Sequence, residues 1–369
     1  MYNVQLEKFC KEFGLGEVLD KYLFPKGMSH RTYFVETTLG KFVIKAIVPG
    51  KTQRSLDRIE QTELIAQLIN EKGVATLAAH TIKGNILNTL DGQWYLVYDF
   101  FEGKSFATKE LSSLESKKVG EILAKIHQID FSKVKLGNKQ IMKYHYGKKL
   151  ERKTDWQFYY DAISVKTKQP KWIEHYKLMI PLLDRMFGAA FDNFNKFIPS
   201  DEVMSHCDLF TQNILWKDGN PHIIDWEKAG IIDATYDCVF TAIRWSMEMG
   251  NEFDITINMD KLYVFLTAYL KIRGINEKRL KQALKMAWYR KMVYSEVALN
   301  RYLTPQDKVD KKRAARKFRH MLRIIRSYGE LYKELPKVKK FIKSNQHPDY
   351  KSESNFRIWF KNLQNRDKI

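Results

Sequence analysis

The chain has 369 residues, of which 44% are hydrophobic and 29% are charged. This balance is typical of a folded globular protein and excludes a disordered chain, and the length indicates about two domains. No run of about 18 apolar residues is present, so no membrane-spanning helix is predicted. The first residues lack the unbroken apolar segment of a secretory signal, and we therefore expect a cytoplasmic protein.

The formal net charge is +20, and a field of this sign attracts anions such as nucleotides. Residues 305–369 hold 19 basic and 7 acidic side chains and so carry more than half of the net charge. The three cysteines, Cys10, Cys207 and Cys238, form no CxxC pair. We therefore expect reduced, buried thiols rather than disulfides or a thiolate zinc site.

In the first hundred residues the sequence predicts strands, turns and one helix. Segments 31–36 and 41–47 are rich in β-branched and aromatic residues, and the Thr38–Leu39–Gly40 link predicts a hairpin between them. Apolar residues in 58–72 fall near helical spacing. A second hairpin is predicted to turn at Asp91–Gly92.

Helical periodicity replaces this pattern after Gly103 and is expected to continue as far as Ser200. Two short strands, 214–216 and 222–224, then surround a turn at 217–220, and everything after them is predicted to be helical.

The predicted fold class is therefore α+β, with a small antiparallel β-sheet followed by a larger, mostly helical part. The sequence places an amino-terminal lobe at residues 1–98 and a link at 99–103. The helical lobe covers 104–369 and ends in a basic helical tail, residues 305–369.

The segment 205–227 carries the side chains that phosphoryl transfer requires. That reaction needs a carboxylate to orient the attacking hydroxyl, and oxygen ligands to hold Mg²⁺ against the phosphates. Asp208 and Asn213 stand in the D-x-x-x-x-N spacing of kinase catalytic loops, and Asp225 follows a short apolar strand. One such spacing arises easily by chance, but His206 before Asp208 and the strand into Asp225 make the whole string far more specific.

The string HCDLFTQNILW, followed by HIIDWEKAG and a later YD, resembles the signature of the aminoglycoside phosphotransferase and choline kinase-like superfamily. Upstream segments match as well, and the resemblance spans roughly residues 27 to 240. The matching segments are GMSHRTYFVET, FVIKA, EQTELIAQLINEKGV, WYLVYDFFEGKSF and LAKIHQID. The resemblance implies a two-lobed protein-kinase-like fold and a small-molecule kinase. It further implies ATP, or GTP as an alternative, and Mg²⁺.

Two departures from the signature leave its polar residues intact. Cys207 stands where glycine is usual, and the stretch 232–237 lacks the usual proline. We therefore disfavour an inactive kinase. By the resemblance, Asp208 orients or deprotonates the acceptor hydroxyl, and Asn213 and Asp225 hold Mg²⁺.

The resemblance also implies a nucleotide site in the amino-terminal lobe. Lys45 would bind the α- and β-phosphates, and its carboxylate partner would be Glu63 or Glu60, with Glu63 preferred. A turn would cover the phosphates with backbone N–H groups, and backbone groups of the link would bind the adenine edge. The turn residues are Gly27, Met28 and Ser29, and the link residues are Asp99, Phe100 and Phe101.

Three residues are candidates for substrate contact, and each has an ordinary alternative. Glu227 would touch substrate or metal, or only cap the turn that follows. Trp245 would stack on a sugar or contact a quaternary amine, or only pack in the core. Glu248 lies in the acidic stretch 246–260, which would receive a cationic substrate or form a solvated loop.

The sequence leaves one rival function open and disfavours two others. A binding or structural protein of the same fold, like spore-coat members of the superfamily, would use the basic tail on an anionic surface. A protein kinase is disfavoured because Trp–Glu rather than Phe–Gly follows Asp225. Nucleic-acid binding is also disfavoured because no recognised module is present. The expected partners are a nucleotide and a small molecule with a hydroxyl, and the sequence assigns no oligomeric state.

Overall fold

The computed structural model describes residues 5–25, 30–131, 150, 153–166, 168–250 and 255–348. The chain divides into two compact units. The first lies within Met1–Phe106, Ile129–Lys143 and Met204–Ile231, and the second within Ala107–Gln128, Tyr144–Val203 and Ile232–Ile369. The segment 205–227, which the sequence analysis assigned to the helical lobe, lies in the first unit.

A five-stranded antiparallel sheet of order β1-β2-β3-β5-β4 forms most of the first unit. Its strands are β1 (Val18–Leu23), β2 (Arg31–Thr37), β3 (Gly40–Ala46), β4 (Asn88–Leu90) and β5 (Gln93–Asp99). The unit also contains helices α1 (Leu6–Glu12) and α2 (Gln53–Glu71).

The central strand β3 is held on both sides, and this fixes the position of its side chains. Lys45 pairs with Thr32 of β2 and with Leu96 of β5. The flanking residues Ile44 and Ala46 are fully buried in a core that α1 helps to form. Both predicted hairpins are confirmed, and β4 and β5 turn at Asp91–Gly92 with positive φ at both residues, as a two-residue turn requires.

Helix α2 begins five residues before the predicted start. Thr52 is its N-cap, and the Thr52 hydroxyl accepts a hydrogen bond from the Ser55 N–H. Capping by a hydroxyl satisfies a backbone donor at the first turn, so the helix extends beyond the apolar stripe from which it was predicted.

Two further strand pairs follow in the chain. Strands β7 (Ile214–Lys217) and β8 (Asn220–Ile223) form the predicted hairpin, with Ile214 opposite Ile223. Its turn residues Asp218 and Gly219 both have positive φ. Strands β6 (Glu202–Ser205) and β9 (Gly230–Asp233) pair with each other.

The described part of the second unit is mostly helical. Its helices are α3 (Ser113–Gln128), α4 (Trp156–Ser164), α5 (Ile173–Lys196), α6 (Ala234–Trp245), α7 (Met259–Leu270), α8 (Leu280–Leu303) and α9 (Lys308–Ser344). The prediction of an entirely helical remainder is wrong at β9 and at a small hairpin of β10 (Met247–Met249) and β11 (Ile255–Ile257). The β-branched residues Ile255, Thr256 and Ile257 pair across from β10, which explains the strand.

Aromatic side chains fill the core of the second unit. Tyr176 of α5 packs edge-on against Phe318 of α9, with ring centroids 4.9 Å apart, and Trp172 contacts both rings.

The antiparallel sheet of the first unit and the helices of the second confirm the α+β prediction. All three cysteines are buried and free, as expected. Within the described ranges, no helix is long and apolar enough to cross a membrane.

Candidate active site

The loop between β6 and β7 is braced by His206. The imidazole is fully buried, and its Nδ1 accepts the Asp208 N–H at 3.3 Å. Its Nε2 therefore carries the proton and donates to the Ile224 carbonyl at 3.0 Å. The prediction that His206 braces the loop by hydrogen bonds is confirmed, and this geometry aims the ring away from proton transfer.

The five-residue spacing of Asp208 and Asn213 has a direct structural cause. The Asn213 side-chain N–H donates to the Asp208 carbonyl at 2.9 Å and closes the loop. Because Ile214 pairs with Ile223, the residues just outside the hairpin also meet, and the Ile224 N–H donates to the Asn213 carbonyl at 2.9 Å. The hairpin therefore holds Asn213 beside the segment that carries Asp225.

Asp225 lies in the left-handed region, with φ of 63°, at the start of the turn that follows β8. Asp adopts this conformation more readily than most residues. The Lys45 ammonium lies 3.4 Å from the Asp225 carboxylate and 2.7 Å from the Glu227 carboxylate. The first unit therefore brings the central strand β3 and the segment 205–227 together at these three side chains.

The balance of charge at Lys45 favours its ionised form. Its side chain is only 14% exposed, and burial alone would lower its pKa. The Glu227 and Asp225 carboxylates outweigh burial and raise the pKa of Lys45. Burial would likewise raise the pKa of Glu227, but Lys45 outweighs it and lowers that pKa. Lys45 is thus a fixed cation paired with two carboxylates.

The predicted ion pair of Lys45 with Glu63 or Glu60 is wrong in this structure. The Glu63 carboxylate accepts the Tyr98 hydroxyl at 2.8 Å and the Ala79 N–H at 3.1 Å. Glu63 is buried, and burial raises its pKa despite the nearby Lys45. Its electrostatic effect on Lys45 is smaller than the effects of Glu227 and Asp225, because those carboxylates contact the ammonium.

Lys228 is a functional candidate that the sequence analysis missed. Its ammonium lies 2.6 Å from the Asp208 carboxylate. The Lys228 side chain is half exposed, whereas that of Asp208 is buried. Lys228 directly follows the Asp225–Trp226–Glu227 motif, so its position in the sequence could have suggested a role. The sequence does not show, however, that the turn after Asp225 places the Lys228 side chain next to Asp208.

Two more residues surround Glu227 that the sequence did not suggest. His30 Nδ1 accepts the Val48 N–H at 3.0 Å, so its protonated Nε2 faces the Glu227 carboxylate at 3.4 Å. The Arg58 side chain donates to the Glu227 carbonyl at 3.3 Å. These contacts fix both ends of Glu227, which is one of the three predicted substrate candidates and is here the main partner of Lys45.

The predicted adenine-binding link follows β5. The Phe100 N–H donates to the Lys41 carbonyl, and the Phe101 carbonyl accepts the Gly103 N–H. These two groups are already engaged, which restricts the prediction to the other backbone groups of 99–101. The Asp99 carboxylate is exposed and lies 3.0 Å from the His80 ring. Gly27, Met28 and Ser29, the predicted phosphate turn, lie outside the described residues.

The two remaining substrate candidates lie in the second unit. Trp245 is fully buried, and its carbonyl accepts the Ser116 hydroxyl, which favours packing over substrate contact. Glu248 lies on β10 rather than in a loop, and its carboxylate contacts the Lys261 ammonium and the Asn258 amide, both at 2.9 Å. The Lys261 hydrogen bond is the main reason that the pKa of Glu248 is lowered. The carboxylate that was to receive a cation is already neutralised.

The unusual Cys207 has a backbone conformation that explains the usual glycine. Its φ is 60°, in the left-handed region that glycine enters without steric cost. The side chain is buried, and its Sγ lies 3.4 Å from the Ser205 carbonyl and 3.5 Å from the Gly230 carbonyl. The thiol is thus accommodated without displacing Asp208 from the loop.

Asn213 and Asp225 offer the side-chain oxygen atoms that Mg²⁺ prefers as ligands. Within the part of the chain that the structure describes, no group of three or more His, Cys, Asp and Glu side chains is arranged to hold a metal. Mg²⁺ commonly binds through only one or two protein oxygens together with phosphates and water. Asn213 uses its amide N–H for the loop, so its side-chain oxygen is the end suited to a metal, and the Asp225 carboxylate is about half exposed. These residues fit Mg²⁺ bound with a nucleotide.

Known proteins resemble this chain in sequence and in fold. The family model described as "Phosphotransferase enzyme family" matches residues 23–274. A homoserine kinase of Methylobacillus glycogenes is 23% identical over 278 residues, which cover 74% of this chain and 77% of that protein. A homoserine kinase of Methylobacillus flagellatus is 24% identical over 276 residues, which cover 73% and 76%.

Solved structures show the same fold at low identity. A spectinomycin phosphotransferase in complex with ADP and spectinomycin has a TM-score of 0.63 at 16% identity, covering 89% of this chain and 99% of that one. An amicoumacin kinase in complex with AMP-PNP and Ca²⁺ has a TM-score of 0.60 at 11% identity, covering 86% and 93%. A microcompartment-associated aminopropanol kinase has a TM-score of 0.61 at 13% identity, covering 88% and 98%. The predicted kinase-like fold is confirmed.

Proposed function

Because this chain belongs to the phosphotransferase enzyme family, we propose that it transfers the γ-phosphoryl group of ATP to a hydroxyl of a small molecule, with Mg²⁺. The observation that carries the proposal is the meeting of Lys45 with Asp225 and Glu227 in the unit that also holds Asp208. The names of the relatives describe kinases of small hydroxyl-bearing molecules, which supports a small-molecule acceptor.

Asp208 is the proposed catalytic residue. A carboxylate at this place accepts a hydrogen bond from the acceptor hydroxyl, orients its oxygen toward the phosphorus and takes up its proton as the new P–O bond forms. Its backbone is held by His206 and Asn213, so the carboxylate is presented in one orientation. Rigid presentation matters because a loose transition state gains mostly from positioning.

Lys45 is the proposed phosphate-binding cation. Its two carboxylate partners keep a buried ammonium charged before nucleotide binds. Phosphate oxygens can replace part of this pairing, since the Asp225 contact is the longer of the two at 3.4 Å. We propose that Glu227 stays with Lys45 while Asp225 turns to the metal.

Asn213 and Asp225 would hold Mg²⁺ through their side-chain oxygens. When bound, Mg²⁺ neutralises charge that develops on the phosphate oxygens. Neighbouring structures with AMP-PNP and Ca²⁺, and with ADP, support a site for nucleotide and divalent metal in this fold. Backbone groups of 99–101 that are not engaged would bind the adenine edge.

Thermal melting with nucleotides tests this proposal. A nucleotide at 100 times its Kd stabilises the folded state by about 2.7 kcal/mol. We expect MgATP to raise the Tm of the wild type and to have little effect on Asp225→Ala. Glu36→Gln is the matched control, because it also removes a carboxylate charge of the first unit, but from an exposed ion pair with Lys41 between β2 and β3. MgGTP is compared in parallel to define the phosphate donor.

The melting experiment distinguishes a kinase from a binding protein of the same fold. A Mg²⁺-dependent shift that is lost in Asp225→Ala and kept in Glu36→Gln supports the nucleotide site. No shift with either nucleotide at millimolar concentration contradicts the kinase and favours a binding protein of the same fold.

A further inference from the structure

A half-exposed lysine lies against the proposed catalytic carboxylate. The Lys228 ammonium is 2.6 Å from Asp208 Oδ2, and both residues belong to the first unit. The Lys228 side chain is 53% exposed, whereas that of Asp208 is 9% exposed. The pair of Lys8 with Asp91 has the same length and a similarly exposed lysine, but its carboxylate is 49% exposed. The burial of Asp208 therefore distinguishes the Lys228 pair from a surface ion pair, which contributes little to stability.

The backbone of Lys228 is fixed by its neighbours. Lys228 ends the short turn that Trp226 begins, and the Trp226 side chain is fully buried. The Ala229 N–H donates to the Trp226 carbonyl at 2.8 Å. The Trp226 ring lies edge-on against His206, with ring centroids 4.7 Å apart, and His206 also accepts the Asp208 N–H. One imidazole therefore contacts both the turn that carries Lys228 and the loop that carries Asp208.

The step proposed for Asp208 brings two negative charges together. The Asp208 carboxylate orients the oxygen that attacks the γ-phosphoryl group, and both the carboxylate and that group are anionic. Their repulsion grows as water is excluded, and the Asp208 side chain is almost fully buried. A cation beside both groups would offset this repulsion. The Lys45 ammonium is in contact with Glu227 and Asp225, whereas the Lys228 ammonium contacts Asp208 itself.

We propose that Lys228 is a further catalytic residue, which binds the transferred phosphoryl group while it holds Asp208. This inference rests on the proposed kinase function and adds a residue to its mechanism. An ammonium has three N–H donors, so Lys228 can donate to Asp208 Oδ2 and to a phosphoryl oxygen at the same time. Two charge-assisted hydrogen bonds, each of about 2.7–2.9 Å, would keep the phosphorus next to the carboxylate.

Lys228 takes no part in bond making or in proton transfer. The acceptor oxygen forms the new bond to the γ-phosphorus, and the proton of the acceptor hydroxyl passes to Asp208. The bond between the γ-phosphorus and the β–γ bridging oxygen breaks, and its electron pair leaves with ADP. Lys228 keeps its proton and donates hydrogen bonds to the oxygens on which charge develops. Lys228 therefore stabilises the transition state more than it stabilises bound ATP.

A mimic of the transferred phosphoryl group tests the proposal without the acceptor. Aluminium fluoride is added to the full chain together with MgADP, and thermal melting and calorimetry measure how strongly it is held. In the wild type we expect aluminium fluoride to raise the Tm beyond the shift with MgADP alone. In Lys228→Gln the MgADP shift should remain, while binding of aluminium fluoride should weaken about 10-fold or more. Lys228→Arg keeps the charge and should retain most of that binding.

Lys8→Gln is the matched control for Lys228→Gln. It breaks an ion pair of the same length in the same unit, at a lysine of similar exposure. Lys8→Gln should bind MgADP and aluminium fluoride as the wild type does. Equal aluminium fluoride binding in Lys228→Gln and Lys8→Gln overturns the proposal, and so does the absence of any further shift in the wild type.

Asp208→Asn separates a direct role of Lys228 from a role in holding Asp208. If Lys228 contacts the phosphoryl group, most of the aluminium fluoride shift should remain in Asp208→Asn, because an amide oxygen still accepts a hydrogen bond from the ammonium. If Lys228 acts only through Asp208, both variants lose this shift equally, and that result overturns the proposal. Failure of the kinase function itself is distinguished because neither MgADP nor MgATP then shifts the Tm of the wild type.

Discussion

Buried cations have different neighbours in the two units. In the first unit a single buried ammonium, Lys45, lies against two carboxylates, Asp225 and Glu227. In the second, Arg244, Arg290 and Lys291 lie around the Phe240 ring. The first cation is paired with carboxylates, and the other three contact an aromatic ring.

This difference bears on what the Lys45 group can bind. An anion that approaches Lys45 meets the carboxylates as well, so it binds well only when it brings positive charge of its own, as a nucleotide does with Mg²⁺. The cations around Phe240 are instead in contact with the face of an aromatic ring. The comparison therefore supports the proposal of a nucleotide with Mg²⁺ for the first unit.

The largest expected effect is on chemistry in the first unit. Asp208→Asn should lower kcat by about 10³-fold, because general-base groups contribute roughly 10²–10⁴-fold. Steady-state kinetics measure this effect. Asp218→Asn is the control, since Asn also tolerates the left-handed conformation of that turn. Full activity in Asp208→Asn would remove Asp208 from the mechanism.

A smaller effect is expected at Lys228, which contacts Asp208 directly. Lys228→Gln should lower kcat about 10- to 100-fold, in line with the loss of a charge-assisted hydrogen bond.

Lys217→Gln is the matched control for Lys228→Gln, because Lys217 pairs with Glu102 instead of Asp208. Equal kcat values in Lys228→Gln and Lys217→Gln would contradict a role of Lys228 in catalysis.

Much of the first unit could be predicted because its signals are local. The turn at Asp218–Gly219 fixes the β7–β8 hairpin, and the hairpin places Asn213 next to the Asp225 segment. Both steps depend on neighbouring residues in the sequence. The arrangement of the segment 205–227 could therefore be predicted from its hairpin register and loop spacing.

The partner of Lys45 and the cations around Phe240 could not be predicted in the same way. Glu63 and Glu227 are both carboxylates, and only the folded chain shows that Tyr98 and Ala79 bind Glu63 while Lys45 contacts Glu227. The cations around Phe240 come from α6 and α8, and no sequence period shows which face of one helix packs against another.

Glu227→Gln removes the carboxylate that lies nearest to the Lys45 ammonium. We expect a loss of about 1–3 kcal/mol in unfolding free energy, because a buried charge loses its main partner. Lys45 lowers the pKa of Glu227, so this stabilisation is present above about pH 4.5 and is lost as the pH falls through the folded pKa. Urea unfolding at pH 7 and at pH 4 measures the difference.

Glu60→Gln tests the rejected partner of Lys45 and should change stability by less than about 0.5 kcal/mol, as surface helix charges do. A larger loss in Glu60→Gln than in Glu227→Gln would contradict the observed pairing.

The smallest expected effect concerns His320 of α9. Burial, and then Lys291, Arg323 and Arg244, lower the pKa of His320 from 6.5 to about 4. Between these two values the unfolded chain binds more protons than the folded chain, so stability falls as the pH decreases from 6.5 toward 4. The slope from this group is at most about 1.4 kcal/mol per pH unit.

His320→Gln should flatten this part of the stability curve, as measured by urea unfolding at pH 6.5, 5.5 and 4.5. The same slope in His320→Gln and wild type would mean that neither burial nor the cations lower the pKa of His320.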